Sequence, residues 1–484
     1  MLQNTSFIYI FKEHNSILCY NLFGDIMKKF LKSTILRVSS IALIFTLLSI
    51  SLTPSLSADS QSLVSETYRS SDHFDTQINI TFFFEEGDDY ERIKDGIDDL
   101  LAEVHKQSTR YEDYTGVVNL KTINNNPGEW HEVDDLLFTM INEAVEYYDE
   151  TNGRFDISLG PVIDLWDSYR EQCLEDDVCT TPSDSEIDEA AQHTGIERID
   201  LDHDDKRVRI EEGMSLDLGG FGKGYGAKRA GDYLRNDDTV EKFLINAGTS
   251  NIEVGGTHPQ RENGLWYVGL TNPNPSGIDD QSFASAKLED GQNITTSGDY
   301  QRYYMADGQR IHHLIDPDTN RPTDHHRAVS LISEDGAFGD LLVTAIYVMG
   351  IEEGMDYVNA RDDISAIWFT EGGTGSDNWL PAEGQGTYAQ NDDVTLVMSD
   401  DFQEQYLRQV NIDITTTGPT DDDSLNNDGD DSTPTNGNDG SSGVPGDPQS
   451  PFTDTTTLLL SLGIPVLTVI IGFGGYALYI NKKN

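Results

Sequence analysis

Apolar residues recur with helical spacing in two segments of the N-terminal half of the chain. Between residues 88 and 106 they stand at positions 93, 97, 100, 101 and 104, and between 133 and 148 at positions 136, 137, 140, 141 and 145. Intervals of three and four residues place them on one face of an α-helix. The run QINITFFF at 77–84 comes before the first helix and predicts a β-strand.

The second half of the chain alternates short apolar runs with turn residues. Runs at 243–246, 251–254, 266–270, 328–333 and 364–370 predict strands, and the segment 338–349 predicts a helix. Strands dominate, helices lie between them, and no repeat of fixed period is present. We therefore expect an α+β fold, with residues 59–414 forming a single elaborated domain.

The first 58 residues have the pattern of a secretory signal. A basic segment begins at Met27, an apolar run follows at 41–52, and Leu56-Ser57-Ala58 provides a small-residue cleavage site. Residues 1–26 add nothing that such a signal needs, so Met27 is a candidate initiator. A retained N-terminal membrane anchor is the alternative.

The C-terminal end predicts a stalk and a membrane anchor. Residues 415–454 are mainly Asp, Asn, Gly, Ser, Thr and Pro, a composition that cannot build a core and predicts disorder. Residues 455–480 are mostly apolar or small and long enough to span a bilayer, and the tail 481–484 contains two lysines typical of the cytoplasmic side. The domain 59–414 is thus expected to be extracytoplasmic, held at the cell membrane by a single transmembrane helix.

Charge narrows the possible partners. The chain has 85 acidic and 32 basic residues, a net charge of −53, and residues 59–414 alone contain 74 of the acids and 25 of the bases. A surface this negative repels nucleic acid and anionic lipid headgroups, which excludes both as general partners. A role in solubility alone would also explain the acidity. Cys173 and Cys179 have no neighbouring histidine, so a local disulfide is a better interpretation than a zinc site.

A glycine-rich segment at 215–234 is the first candidate for chemistry. A short apolar strand is predicted to run into glycines, then Lys223, then a helix. Glycines allow the backbone to approach a ligand closely, and a helix N-terminus attracts phosphate. The spacing is neither that of a P-loop nor a strict GxGxxG. A phosphate-binding loop and a plain tight turn therefore both remain open.

Two further segments contain potential catalytic groups. Asp340 and Thr344 are four residues apart on the predicted helix, so a carboxylate and a hydroxyl share one face and could bind Mg²⁺. The alternative is that Asp340 caps the helix and Thr344 packs. His312 and His313 adjoin an apolar strand that leads to Asp316-Pro317, and only one of them can face a site as a general base. Either histidine could instead be structural.

Five segments together, in this order, resemble the ApbE-type flavin transferases. They are 152–161, 217–225, 246–252, 296–300 with 313–317, and 339–345, and the similarity extends over about 74–400. The resemblance implies an α+β fold related to the T-fold, with Mg²⁺ as cofactor and FAD as substrate. Such enzymes cleave the FAD pyrophosphate, attach FMN to a Thr or Ser hydroxyl of a partner protein and release AMP. Asn320 stands where the family has Gly, and Asn also tolerates a left-handed turn.

The resemblance also assigns roles to individual residues. It implies that His313 is the base that deprotonates the acceptor hydroxyl. The residues implied to contact FAD are Tyr111, Phe155, Asp156, Asp217, Lys223 and Ile315, and those implied to hold Mg²⁺ are Gly220 through its carbonyl, Asp340 and Thr344. Phe155 and Asp156 would line the adenine side, and Tyr111 would stack on a ring.

Three functions are consistent with these residues. The first is FMN transfer to an extracytoplasmic or membrane-bound redox protein, and the second is hydrolysis of FAD to FMN and AMP by the same site. The third is a surface protein that binds flavin without turnover. Segment 371–377 loosely resembles an acceptor motif, with Thr374 as the acceptor, but a hairpin turn explains it better.

Charge leads to a first testable prediction. Residues 59–414 carry an excess of 49 negative charges, so their long-range field repels the FAD diphosphate. At 0.1 M salt this repulsion is largely screened between charges more than about 10 Å apart. We expect FAD affinity, measured by flavin fluorescence at fixed Mg²⁺, to rise with moderate salt and to collapse when the divalent cation is chelated. An affinity that falls steadily from the lowest ionic strength would contradict this prediction.

Overall fold

A computed structural model describes residues 63–87, 89–248, 250–274, 282–371, 380–381, 385–390, 393–411 and 416–418. The predicted signal, most of the predicted stalk, the predicted transmembrane helix and Thr374 lie outside these residues. No helix within the described ranges is both long and apolar enough to cross a bilayer. Residues Thr416–Gly418 form a strand, so the folded domain extends past the predicted boundary at residue 414.

A large antiparallel sheet is the centre of the fold. Its ten strands within the described ranges lie in the order β1-β2-β6-β7-β10-β15-β16-β18-β17-β20, and each neighbouring pair is antiparallel. The strands are β1 Leu63–Ser70, β2 Ile78–Glu85, β6 Val240–Ala247, β7 Asn251–Gly255, β10 Asn293–Gly298, β15 Ala328–Ser333, β16 Ser365–Glu371, β17 Thr387–Gln390, β18 Val394–Met398 and β20 Thr416–Gly418.

Smaller sheets surround it. One has the order β19-β9-β8 and another β3-β5-β4, and two hairpins join β11 to β12 and β13 to β14. Their bounds are β3 His131–Glu132, β4 Ile199–Asp202, β5 Arg207–Ile210, β8 Trp266–Thr271, β9 Ser282–Leu288, β11 Tyr303–Ala306, β12 Gln309–His312, β13 Ile315–Asp316, β14 Arg321–Pro322 and β19 Leu407–Val410. All six runs that predict strands overlap an observed strand.

Seven α-helices lie in the described part of the chain. They are α1 Tyr90–Ser108, α2 Leu120–Asn125, α3 Asp135–Glu150, α4 Gly160–Asp176, α5 Asp184–Ala191, α6 Gly222–Arg235 and α7 Gly336–Asn359. Asp89, Asp134 and Asp335 cap α1, α3 and α7 by accepting hydrogen bonds from backbone N–H groups of the first turn. Gly350 interrupts α7 with φ 77° and ψ 175°, which explains why the helical pattern ends at residue 349.

The large sheet is covered on both faces, which gives the molecule three layers. In β2, alternate residues are buried and pack with α1 and α6. All six residues of β15 are buried, because Val329 and Leu331 pack with α7 while Ala328 and Ile332 pack towards β8 and β9. A strand covered on both faces is mainly apolar, and AVSLIS is apolar at four of six positions, while its buried serines are hydrogen-bonded to Thr296 and Asn293. The α+β prediction agrees with this mixed architecture.

The predicted disulfide between Cys173 and Cys179 is present at the end of α4. Cys173 packs with Trp166 and Ile187, and Cys179 lies against the same cluster. The bond therefore ties the loop that follows α4 to a hydrophobic cluster formed by α4, α5 and the β11–β12 hairpin.

The disulfide generates the second prediction. Replacing Cys173 and Cys179 together by Ser should lower the free energy of unfolding by about 2 kcal/mol, since a short closed loop restricts the unfolded chain modestly. Urea denaturation of both proteins, with and without reductant, measures this difference. Reductant should destabilise the parent to the level of the double variant and leave the variant unchanged. Identical unfolding midpoints of the parent and the variant would contradict the prediction.

Candidate functional site

The sequence predicted a short strand ahead of the glycines at 215–234, and this prediction is wrong, because residues 215–218 form no strand. The apolar residues among them belong to an irregular segment that side chains hold in place. The backbone N–H of Leu216 donates to Asn124 Oδ1 at 2.8 Å, and Asn124 Nδ2 donates to the Leu216 carbonyl at 2.9 Å. Asp217 N–H donates to the carbonyl of Ile157 at 2.8 Å. A side-chain amide thus replaces a partner strand, and α6 begins at Gly222.

Lys223, in the first turn of α6, is paired with Asp340 of α7. Lys223 Nζ lies 2.8 and 2.9 Å from the two carboxylate oxygens of Asp340, and Gly224 N–H donates to one of them at 2.8 Å. The helices can approach closely because Gly224 has no side chain. A Cβ at this position would stand only 2.3 Å from Asp340 Cβ. Only 6% of the Asp340 side chain is exposed. Since Asp335 caps α7, the interpretation of Asp340 as a helix cap is wrong.

Thr344 and Gly220 complete a group of oxygen donors. Thr344 Oγ1 donates to the Asp340 carbonyl at 3.2 Å, which leaves its lone pairs available. A Cβ built on Gly220 would lie 3.3 Å from Thr344 Oγ1 and 3.5 Å from the ring of Phe155, so the backbone of Gly220 is next to both. A carboxylate, a hydroxyl and a carbonyl are hard donors that suit Mg²⁺. Within the described ranges no three His, Cys, Asp or Glu side chains converge, so a metal site there requires mixed donors of this kind.

Asp217 is held by a cation that sequence reasoning missed. Arg110 Nη1 donates to Asp217 Oδ2 at 2.7 Å, and Nη2 donates to Asp164 Oδ1 at 2.6 Å. The other oxygen of Asp217 accepts from Gly219 N–H at 2.7 Å. Tyr111, beside Arg110, is 62% exposed, so its ring is accessible to a ligand. Arg110 belongs to no glycine-rich or His-rich segment, which is why the sequence offered no signal for it.

Phe155 and Asp156 follow α3 at the edge of this group. Phe155 is buried, and its N–H donates to Thr151 Oγ1 at 3.1 Å. The carboxylate of Asp156 accepts from Ser158 N–H at 2.7 Å and caps a short 3₁₀ helix. Burial raises the pKa of Asp156 above its ordinary value. The predicted contacts of Phe155 and Asp156 with adenine remain predictions.

The two adjacent histidines have different surroundings, because β12 ends at His312 and His313 lies in the bend that follows it. His312 is buried, with Nε2 2.7 Å from the Thr323 carbonyl and its ring 5.7 Å from that of Tyr347. His313 is half-buried, with Nδ1 3.3 Å from the Arg302 carbonyl. Burial, and then the positive charge of Arg302, lower the pKa of His313 below its ordinary value.

The His313 segment reaches the Asp340 group through two contacts. Tyr347, which packs against His312, lies in α7 one turn beyond Thr344. Arg154, beside Phe155, lies 3.4 Å from Asp316 and 2.9 Å from Glu353. Ile315 is buried in the cluster that contains α4. The predicted residues therefore form two neighbouring groups, one around Asp340 and one around His313.

A separate cavity of about 270 Å³ lies between α3, α6 and the start of α7. It is lined by Tyr147 and Phe338, and by Lys228 and Arg229. Both cations already have partners, since Lys228 pairs with Asp232 and Arg229 with Glu103. None of the predicted site residues lines this cavity, so we do not assign it to the functional site.

The fold and the site together define a class of protein. It is an α+β domain in which two helices meet at a Lys–carboxylate pair beside a group of oxygen donors. The sequence profile of the ApbE family matches residues 74–368. The chain belongs to the ApbE family, as its motifs predicted, and is an enzyme of the transferase class.

Curated relatives and solved structures agree with this family assignment. An FAD:protein FMN transferase of Klebsiella pneumoniae is 32% identical over 280 residues, which are 56% of this chain and 82% of that protein. One from Vibrio cholerae is 29% identical and covers 59% of this chain and 82% of its own length. The ApbE protein of Thermotoga maritima, at 28% identity, superposes with a TM-score of 0.55 over 63% of this chain and 94% of its own. The flavin transferase ApbE of Vibrio cholerae, at 24% identity, gives 0.56 over 71% and 99% and shows the same fold.

The surroundings of His313 generate the third prediction. Because its pKa is lowered in the folded protein, its NMR signals should titrate with a midpoint below the value of about 6.5 found in model peptides. The unfolded chain takes up the proton first, so the stability that neutral His313 contributes is present above pH 6.5 and is lost as the pH falls. A His313→Gln variant should lack this part of the pH dependence of unfolding. A midpoint at or above 6.5 would show the prediction to be wrong.

Proposed function

We propose that this protein transfers FMN from FAD to a Thr or Ser hydroxyl of another protein, releases AMP and requires Mg²⁺. The observation that best supports the proposal is the pairing of Lys223 with Asp340 beside Thr344 and the backbone of Gly220. Attack on a diphosphate requires its negative charge to be neutralised, and these residues can bind a cation and supply an ammonium group.

Asp340, Thr344 and the Gly220 carbonyl are the residues that would hold Mg²⁺. The ion, when bound, supplies positive charge to the diphosphate oxygens. Lys223 adds a second positive charge from the first turn of α6, where the helix N-terminus also favours an anion. Its ion pair with Asp340 holds the ammonium group in place before FAD binds.

His313 is suited to accept the proton of the acceptor hydroxyl. Its Nδ1 faces the Arg302 carbonyl, which can only accept a hydrogen bond, so Nδ1 carries the ring proton and Nε2 has a free lone pair. The hydroxyl proton passes to Nε2 as the oxygen forms a bond to the FMN phosphorus. The bond from that phosphorus to the AMP oxygen breaks, and AMP leaves.

The acceptor and the location are part of the proposal. A signal at the N-terminus and an anchor after the stalk would place the domain outside the cytoplasm and close to the membrane. The acceptor would then be an extracytoplasmic or membrane-bound redox protein. Water in place of the acceptor hydroxyl would give FMN and AMP, so FAD hydrolysis is the second candidate for the same site.

The fourth prediction concerns the metal carboxylate. The full chain with FAD, Mg²⁺ and a Thr-containing acceptor protein should yield a covalently fluorescent acceptor and stoichiometric AMP. Asp340→Asn should lower the rate by at least about 100-fold, since one preorganised charge-stabilising group contributes about 3 kcal/mol. Asp363→Asn is the matched control: Asp363 pairs with Arg361 at 2.8 Å, away from the predicted site residues, and should leave the rate unchanged.

The products distinguish the candidate functions. Free FMN and AMP without a labelled acceptor would favour hydrolysis, and FAD that stays bound and unchanged would favour a carrier. An Asp340→Asn protein that turns over FAD at the parent rate would remove the metal assignment. A His313→Gln protein with the parent transfer rate would remove the role of His313 as a base.

A further inference from the structure

Arg110 is a buried cation that joins three separate segments. It follows Thr109, the C-cap of α1, and only 8% of its side chain is exposed. One end of the guanidinium pairs with Asp217 in the glycine segment, and the other pairs with Asp164 in α4. Two different carboxylates are bound by two different nitrogens, so the orientation of the group is fixed.

Asp217 transmits this restraint to the backbone. Its Oδ2 accepts from Arg110, while its Oδ1 accepts from Gly219 N–H at 2.7 Å. The N–H of Asp217 is itself bound to the carbonyl of Ile157. Both carboxylate oxygens and the backbone of Asp217 are therefore engaged, and the turn at 217–219 has little freedom. The next residue is Gly220, which lies against Thr344.

Glycine at position 220 makes an external restraint necessary. A glycine peptide has more conformational freedom than any other, so its carbonyl is not oriented by local preference. No side chain at position 220 can fix it by packing. The N–H groups of Phe221 and Gly222 both donate to the Leu218 carbonyl, at 3.0 and 2.8 Å, so the conformation at Gly220 depends on the turn at 217–219 that Asp217 and Arg110 fix.

The pairing of Arg110 with Asp217 and Asp164 is not well explained by a contribution to stability alone. Buried ion pairs add little net stability, because desolvation offsets the attraction between the charges. Their better-supported effect is to specify one geometry. A lysine could not reproduce it, since an ammonium group lacks the planar fork that binds two carboxylates in fixed directions.

We propose that Arg110 is a positioning residue for the metal site: it holds Asp217 so that Gly219 and Gly220 present the Gly220 carbonyl to the cation. This inference rests on the proposed function, because it concerns the Mg²⁺ that the transfer reaction requires. Outer residues that orient metal ligands typically affect metal affinity 10- to 100-fold.

The test measures Mg²⁺ binding without FAD and without turnover. The full chain is titrated with MgCl₂ at constant ionic strength, and the rise in unfolding temperature gives the half-saturating concentration. Arg110→Met should raise that concentration at least about 10-fold, and Arg110→Lys should raise it nearly as much. In the transfer assay, activity lost at low Mg²⁺ should return as Mg²⁺ is increased.

Arg92→Met is the control, at an arginine whose side chain is 47% exposed. Arg92 also binds a carboxylate, Asp237, through both terminal nitrogens, at 2.6 and 3.1 Å, but it lies at the start of α1 and contacts no metal ligand. Its half-saturating Mg²⁺ concentration should equal that of the parent. An effect of the same size in Arg92→Met would show that loss of any such ion pair is sufficient, and would overturn the inference.

A second variant covers the case in which Arg110→Met does not fold. Asp217→Asn keeps an oxygen for Gly219 but weakens the pair with Arg110, so its Mg²⁺ requirement should also rise. Unchanged Mg²⁺ binding in the folded variants overturns the positioning role alone. A parent protein that binds no Mg²⁺, either without FAD or with FAD present, overturns the proposed function together with this inference.

Discussion

The close contact between α6 and α7 is the constraint on which the site depends. Gly224 donates its N–H to Asp340, and Lys223 bridges both oxygens of the same carboxylate. A side chain at position 224 would meet Asp340 and the Gly336 carbonyl at 2.3 and 2.6 Å. A helix that begins with glycines is intrinsically unfavourable. Gly224 is therefore explained by packing against α7, while Gly226 and Gly231 allow close contact with Phe74 and Glu253.

This contact also explains how a site of few residues is held by a large sheet. Both helices pack on strands of the central sheet: α6 on β6 and α7 on β15. Their relative position is fixed by two buried hydrophobic clusters, so the carboxylate of Asp340 is brought to Lys223 without any flexible segment between them. The glycine segment lies outside regular structure, and Asn124, Ile157 and Arg110 hold it from different directions.

Periodicity predicted β2, α1 and α3, but it missed β18 and α4, although both have buried apolar residues. Helix α3 was evident because its apolar positions match the helical period, and β15 was evident as a short, mostly apolar run. The hairpin β11–β12, with the sequence YYMA and QRIH, mixes buried and exposed positions and has no such signal. Motif order identified Lys223, Asp340 and Thr344, and Asn320 takes the left-handed φ of 56° that its replacement of Gly implied. Arg110 and Asn124 are polar residues from distant segments, and only the folded chain shows what they bind.

The ion pairs near the candidate site also bear on how an acidic domain could bind an anion. Around the Asp340 group, three cations already have acidic partners: Lys223 has Asp340, Arg110 has Asp217 and Asp164, and Arg154 has Asp318 and Glu353. These three cations therefore do not form an unpaired positive patch for a diphosphate. In a domain with a large excess of acids, these cations stay neutralised by their partners, and under the proposed function a divalent cation would take over the carboxylate of Asp340. Binding of the anionic substrate and of the cation should then be mutually dependent, because the cation both adds positive charge and releases Lys223 from its partner.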